Sequence, residues 1–106
     1  MVFDVSKVGG LGSFFEEKKT VGEGVDTEEV LVCKVSEEGK AFLVVRKNTI
    51  EVRTDRKLGG LLREKYESVM ESRYFGRGGI EVVLSGQLSE EELADLVRLS
   101  YNLSDQ

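Results

Sequence analysis

The residues best equipped for chemistry in this chain are cations, and they are gathered in its middle. Lys40–Ile80 holds ten Lys/Arg against five Asp/Glu, a net +5. Residues 1–39 hold four against nine and residues 81–106 one against six, −5 in each case. The whole chain is acidic, at −5, so charge is sorted along the sequence and a local positive field can attract an anionic partner against the overall sign. Guanidinium and ammonium groups neutralise phosphates and release condensed counterions, a source of affinity that is independent of base sequence. The candidate nucleic-acid-binding set is Arg46, Lys47, Arg53, Arg56, Lys57, Arg73 and Arg77, together with Tyr74 and Phe75. The two aromatic rings lie between Arg73 and Arg77, where they could stack on an unpaired base. Binding of this kind is expected to be weak and non-specific. The competing reading is ordinary solvated surface, with the cations paired to Glu51, Asp55 and Glu64, because charge runs usually are surface. Two other partners remain open: a protein docked by the acidic body with its basic patch, and a small anion held by backbone amides in Ser72–Gly79 beside Arg77.

What is missing narrows the chemistry further. There is no histidine and only one cysteine, which removes the commonest general base and the usual zinc constellations. Ser-His-Asp and Cys-His sites are excluded. No catalytic residue, cofactor or metal ligand is assigned, and a non-enzymatic binding module is expected. Gly9, Gly10 and Gly12 superficially suggest a phosphate loop, but no Gly-Lys-Ser/Thr follows and the GxGxxG spacing is not met. Cys33 alternates with apolar neighbours and reads as a core residue. The longest unbroken apolar run, Ala41–Val45, is far too short to span a bilayer. With Asp4 close behind Met1 no signal peptide is expected. One unpaired cysteine suits a reducing compartment, so a cytoplasmic location is expected, without a membrane partner.

These residues need a scaffold, and the expected one is a single α+β domain over 1–106: an antiparallel meander sheet packed with a central and a C-terminal helix. Residues 1–29 are the least legible. Their glycines point to a turn-rich entry, with Phe14 and Phe15 packing it onto the body from a short helix running toward Lys19. Gly22 and Gly24 mark a loop before Thr27. Val30–Val35 and Ala41–Arg46 are apolar, β-rich runs joined by Ser36–Lys40, a hairpin in which Gly39 could supply a positive φ. Thr49–Thr54 alternates strictly, with Ile50 and Val52 on one face and Glu51 and Arg53 on the other, as a half-buried strand does. Lys47 and Asn48 make the turn into it, asparagine tolerating the left-handed conformation. Leu58, Leu61, Leu62, Tyr66 and Val69 then fall at helical spacing behind Asp55, an expected N-cap. Ser72–Gly79 reads as a glycine-rich loop and Ile80–Leu84 as a fourth strand. The final helix is the clearest: Ser89 and Glu92 form a capping box, Leu88 and Leu93 a hydrophobic staple, and Leu93, Leu96, Val97 and Tyr101 a buried stripe.

This order of elements, with these residues in it, resembles the MmcQ/YjbR family. Three stretches carry the resemblance: LVCKVSEEGKAFLVV (Leu31–Val45), LLREKYESV (Leu61–Val69) and VLSGQLSEEELADLVRLSYNL (Val83–Leu103) with its Ser-Tyr-x-Leu ending. Family members begin with a well-formed helix, from which 1–29 diverges. In SRYFGRGGIEV (Ser72–Val82) only Tyr74 matches the family loop. The resemblance implies a double-wing α+β fold, and members are often labelled predicted DNA-binding proteins, a fold-level analogy.

Overall fold

Alternation of side chains along the strands decides which face of this protein is core. The computed structural model describes residues 2–106. Within them, β1 (Phe15–Val21), β2 (Glu28–Lys34), β3 (Ala41–Val45), β4 (Thr49–Arg53), β5 (Val69–Ser72) and β6 (Gly76–Val83) form one sheet. It has six strands in the order β1-β2-β3-β4-β6-β5, and every neighbouring pair is antiparallel. Two helices, α1 (Arg56–Lys65) and α2 (Glu90–Ser104), complete an α+β domain. α1 packs on β5 and β6, and α2 on β3 and β4.

The helix-covered face holds the main core, including Cys33, Ile50, Val52, Ile80 and Val82 against Leu93 and Val97. A register shift strengthens it. Cys33 pairs with Leu43 but Lys34 with Ala41, so Phe42 is the extra residue of a β-bulge. A bulge turns two consecutive side chains toward the same side, and Phe42 and Leu43 both join the core under the helices. Phe42 then stacks edge-on with Phe14 and Tyr101, at ring distances of 5.7 and 5.0 Å. Ser100 of α2 locks this contact: its hydroxyl donates to the Phe42 carbonyl at 2.6 Å and accepts from the Arg53 amide at 2.8 Å. The other face keeps Val30, Val32, Ala41 and Val44, a smaller apolar cluster.

The meander of β2, β3 and β4 stands where alternation places it, Asp55 caps α1, and the Ser89–Glu92 capping box is formed. Elsewhere the structure corrects the sequence reading. The stretch expected as a short helix toward Lys19 is β1, in which Phe15 is 48% exposed while only Phe14 packs inward. Pairing with β2 overrides a local lysine- and glutamate-rich composition that favours helix, because propensity is a weak prior. Before it, a single 3₁₀ turn (Val5–Lys7), capped by Asp4, buries Val5 and Val8 in the core. α1 ends at Lys65, and Val69 begins β5 instead of extending the helical stripe. The expected loop Ser72–Gly79 is a hairpin, with only Arg73, Tyr74 and Phe75 between its strands. Neither turn expected to use a left-handed residue does so at Gly39 or Asn48, since the positive φ values fall at Gly10, Gly22, Gly24 and Gly76. Gly39 is instead needed for space: a Cβ there would meet Ser36 Oγ at 2.5 Å and Val35 Cγ2 at 2.7 Å.

Candidate nucleic-acid interface

On the face without helices, the register sets Glu51 of β4 directly opposite Glu81 of β6. Two carboxylates so placed repel one another, and both are buried, at 0% and 3% exposure. Each therefore requires its own cation. Arg46, just past β3, donates from Nε to Glu51 Oε2 at 2.6 Å and from Nη1 to Glu28 Oε1 at 2.7 Å. Arg73 grips Glu81 with two parallel bonds, Nε to Oε1 at 2.9 Å and Nη2 to Oε2 at 2.7 Å, the bidentate geometry that suits guanidinium to carboxylate. Short neutral donors fill the remaining positions. The Ser72 hydroxyl and the Tyr74 amide reach Glu51 Oε1 at 2.7 and 2.8 Å, and the Thr49 hydroxyl reaches Glu81 Oε2 at 2.8 Å.

The titration behaviour follows from this wiring. Burial alone would raise the Glu81 pKa, but the bonds from Arg73 and Thr49 outweigh it and hold the carboxyl below its ordinary value. Burial likewise works against charge on Arg46, yet its bonds to Glu51 and Glu28 leave its pKa raised. Arg73 is raised chiefly by its bonds to Glu81. Cys33, fully buried as its neighbours suggest, has its thiol pushed up to about 12 by desolvation and then by the Glu16 charge. It is a core residue and not a nucleophile.

The tip of the β5–β6 hairpin folds down onto this network. Phe75 lies against the smaller apolar cluster, and the Arg53 guanidinium stacks over its ring at 4.7 Å. Gly79 makes room for it, since a Cβ there would meet Phe75 Cβ at 2.8 Å and the Val52 carbonyl at 2.5 Å. Tyr74, 36% exposed, stands edge-on to Phe75 at 5.1 Å. A shallow groove of about 360 Å³ beside the tip is lined by Arg46, Arg73 and Tyr74 together with Val21, Gly22, Asp26 and Glu28. Residues at both sides of the sheet thus meet over its open face.

The candidate residues consequently divide. Arg46 is 6% exposed and committed to Glu51 and Glu28, so it is removed from the binding set. Arg73 is exposed along its side chain, but its charge is matched by Glu81. Phe75 is half-buried under Arg53 and offers no open ring face on that side. Lys47 is exposed in the β3–β4 turn, at the end of the sheet opposite the remaining cations. Arg53, Arg56, Lys57 and Arg77 have their backbones at one end of the sheet. Arg53 closes β4, Arg56 and Lys57 open α1, and Arg77 is near the start of β6, whose Gly78 carbonyl accepts from the Thr54 amide at 3.0 Å. Lys40, absent from the sequence-derived set, joins them at the start of β3, because Arg53 Nε donates to the Ala41 carbonyl at 2.7 Å. No sequence signal singles out Lys40; the antiparallel order alone sets it beside Arg53. Among the described residues, none of these five cations has a carboxylate within ion-pair distance.

Compared with known protein families, curated proteins and solved structures, the chain finds no match, so the family resemblance rests on its motifs alone. Among the described residues, no group of three or more His, Cys, Asp or Glu is arranged to hold a metal ion, and no helix is long and apolar enough to cross a membrane.

Proposed function

We propose that this protein is a non-enzymatic binding module that holds nucleic-acid phosphates at the basic end of its sheet. The observation that carries the reading is the placement of Lys40, Arg53, Arg56, Lys57 and Arg77 at one end of the sheet, none with a carboxylate within ion-pair distance among the described residues. Two of them stand where local physics disfavours them. Arg56 and Lys57 occupy the first turn of α1, where the capping Asp55 is the one acidic residue, at the positive end of the helix dipole, a placement that costs up to about 0.3–1 kcal/mol per charge. An anion docked there would reverse the sign of that cost. Tyr74, 36% exposed at the hairpin tip, offers an aromatic ring on which an unpaired base can stack. The resemblance to MmcQ/YjbR proteins, with their double-wing fold, supports the same reading by analogy.

The acidic remainder of the chain opposes binding at a distance, so affinity belongs to low ionic strength. Single- and double-stranded oligonucleotides titrated in parallel by fluorescence anisotropy should both bind, with log affinity falling against log salt at a slope of about −4 if five phosphates are neutralised. The combined variant Lys40→Glu, Arg56→Glu, Lys57→Glu, Arg77→Glu should lose binding while keeping its far-ultraviolet spectrum, and Lys47→Glu should bind like the parent. Absence of binding to either oligonucleotide, or undiminished binding by the combined variant, would overturn the proposal.

A further inference from the structure

The two edges of the sheet are built differently. β5 is four residues long and its pairing shifts register between Glu71 and Ser72, a short and irregular edge of the kind that discourages pairing. β1 has seven residues, all paired to β2 without a register shift, and among the described residues no strand pairs with its outer side. Reversed against itself, its sequence, Phe-Glu-Glu-Lys-Lys-Thr-Val, sets Phe15 opposite Val21 and Glu17 opposite Lys19. We infer that β1 is a homodimer interface, pairing antiparallel with β1 of a second copy about a two-fold axis at Lys18.

Side chains alternate between faces along a strand, so Phe15, Glu17, Lys19 and Val21 share the open face. Val21 packs with the apolar cluster there, and Glu17 reaches Lys34 of β2 on the same side at 3.4 Å. In the proposed register Glu17 faces Lys19 of the other copy, Lys19 faces its Glu17, and Phe15 meets Val21 at both ends. The exposed Phe15 ring gains an apolar neighbour. On the helix side Glu16 faces Thr20, and at the axis Lys18 faces Lys18, the one like-charge pair of this register, each with the other copy's Glu16 as a diagonal neighbour. Sliding the strands by two residues in either direction would put Glu17 opposite Glu17 or Lys19 opposite Lys19 at the axis, shorten the overlap and part Phe15 from Val21. Every such two-fold register sets one residue opposite itself, so the complete overlap and the Phe15–Val21 pairs at both ends select this one, while the charge pattern discourages other strands. The interface lies away from the basic end of α1 and does not depend on nucleic-acid binding.

Sedimentation equilibrium of the full chain should show twice the monomer mass at high protein concentration. Glu17→Lys and Lys19→Glu each create two like-charge pairs per dimer and should each sediment as monomers. Mixed in equal amounts, these two variants restore both opposite-charge pairs and should form a heterodimer of doubled mass. Circular dichroism checks that each variant folds; both positions are on the sheet edge. A monomeric parent at every concentration, a dimeric single variant, or a mixture that stays monomeric would each overturn the inference.

Discussion

Removing Arg46 tests whether the open face is held by a closed ion network or merely decorated by one. Glu51 has no exposure, and in Arg46→Met it keeps only the Ser72 hydroxyl and the Tyr74 amide as donors. Leaving one member of a buried pair uncompensated costs about 3–5 kcal/mol, a large share of the roughly 5–15 kcal/mol that holds a domain together. At about 4 °C or more per kcal/mol for a chain of this size, the melting temperature should fall by at least about 12 °C. Glu51→Gln should cost a similar amount, because Arg46 then stays buried with only Glu28 to balance it. The double variant is the informative one. Its Gln carbonyl can still accept from Ser72 and Tyr74, no fully buried charge is stranded because Glu28 is partly exposed, and the residual loss is that of one unpaired amide donor, about 1–3 kcal/mol. Urea melts of the four proteins, with slope and midpoint fitted separately, should therefore show the double variant more stable than either single one. If the two single losses simply add, the residues are not coupled and the account of the network is wrong. Single losses below about 1 kcal/mol would place the pair among exposed ion pairs.

Three further outcomes are expected. Ser100→Ala strands the Arg53 amide and the Phe42 carbonyl between α2 and the sheet, and denaturant melts should show a loss of about 1–3 kcal/mol. Ser89→Ala removes the capping box of α2 and should cost about 1 kcal/mol by the same measurement, with an unchanged midpoint counting against the cap. Because the Glu81 carboxyl is held below its ordinary value of 4.5 in the folded state, its contribution to stability is complete above that value and is lost as pH falls through the lowered one. Thermal melts on acidification should show this, and the acid limb should be flatter in Glu81→Gln.

Much of the scaffold was legible from residues close together in the chain. The strict alternation of Thr49–Arg53, the apolar runs of β2 and β3, and the Ser89–Glu92 capping box are local signals, and the structure keeps all three. The sorted charge was equally plain. Hidden elements were those stabilised by partners distant in sequence. β1 and β5 are edge strands with one paired side each, so neither buries enough apolar surface to leave a period in its own residues. Glu51 and Arg46 read as solvent-facing because their neighbours alternate correctly, and alternation cannot reveal that a hairpin tip from the far end of the sheet covers them. Only the tertiary register, which opposes Glu51 to Glu81, consumes Arg46 and Arg73 in neutralising buried carboxylates. The same register leaves Lys40, Arg53, Arg56, Lys57 and Arg77 gathered at one end. The sequence determined how many cations its centre carries; strand pairing decided which of them are spent inside the fold, because a buried carboxylate must be neutralised by whatever cation the sheet brings within reach.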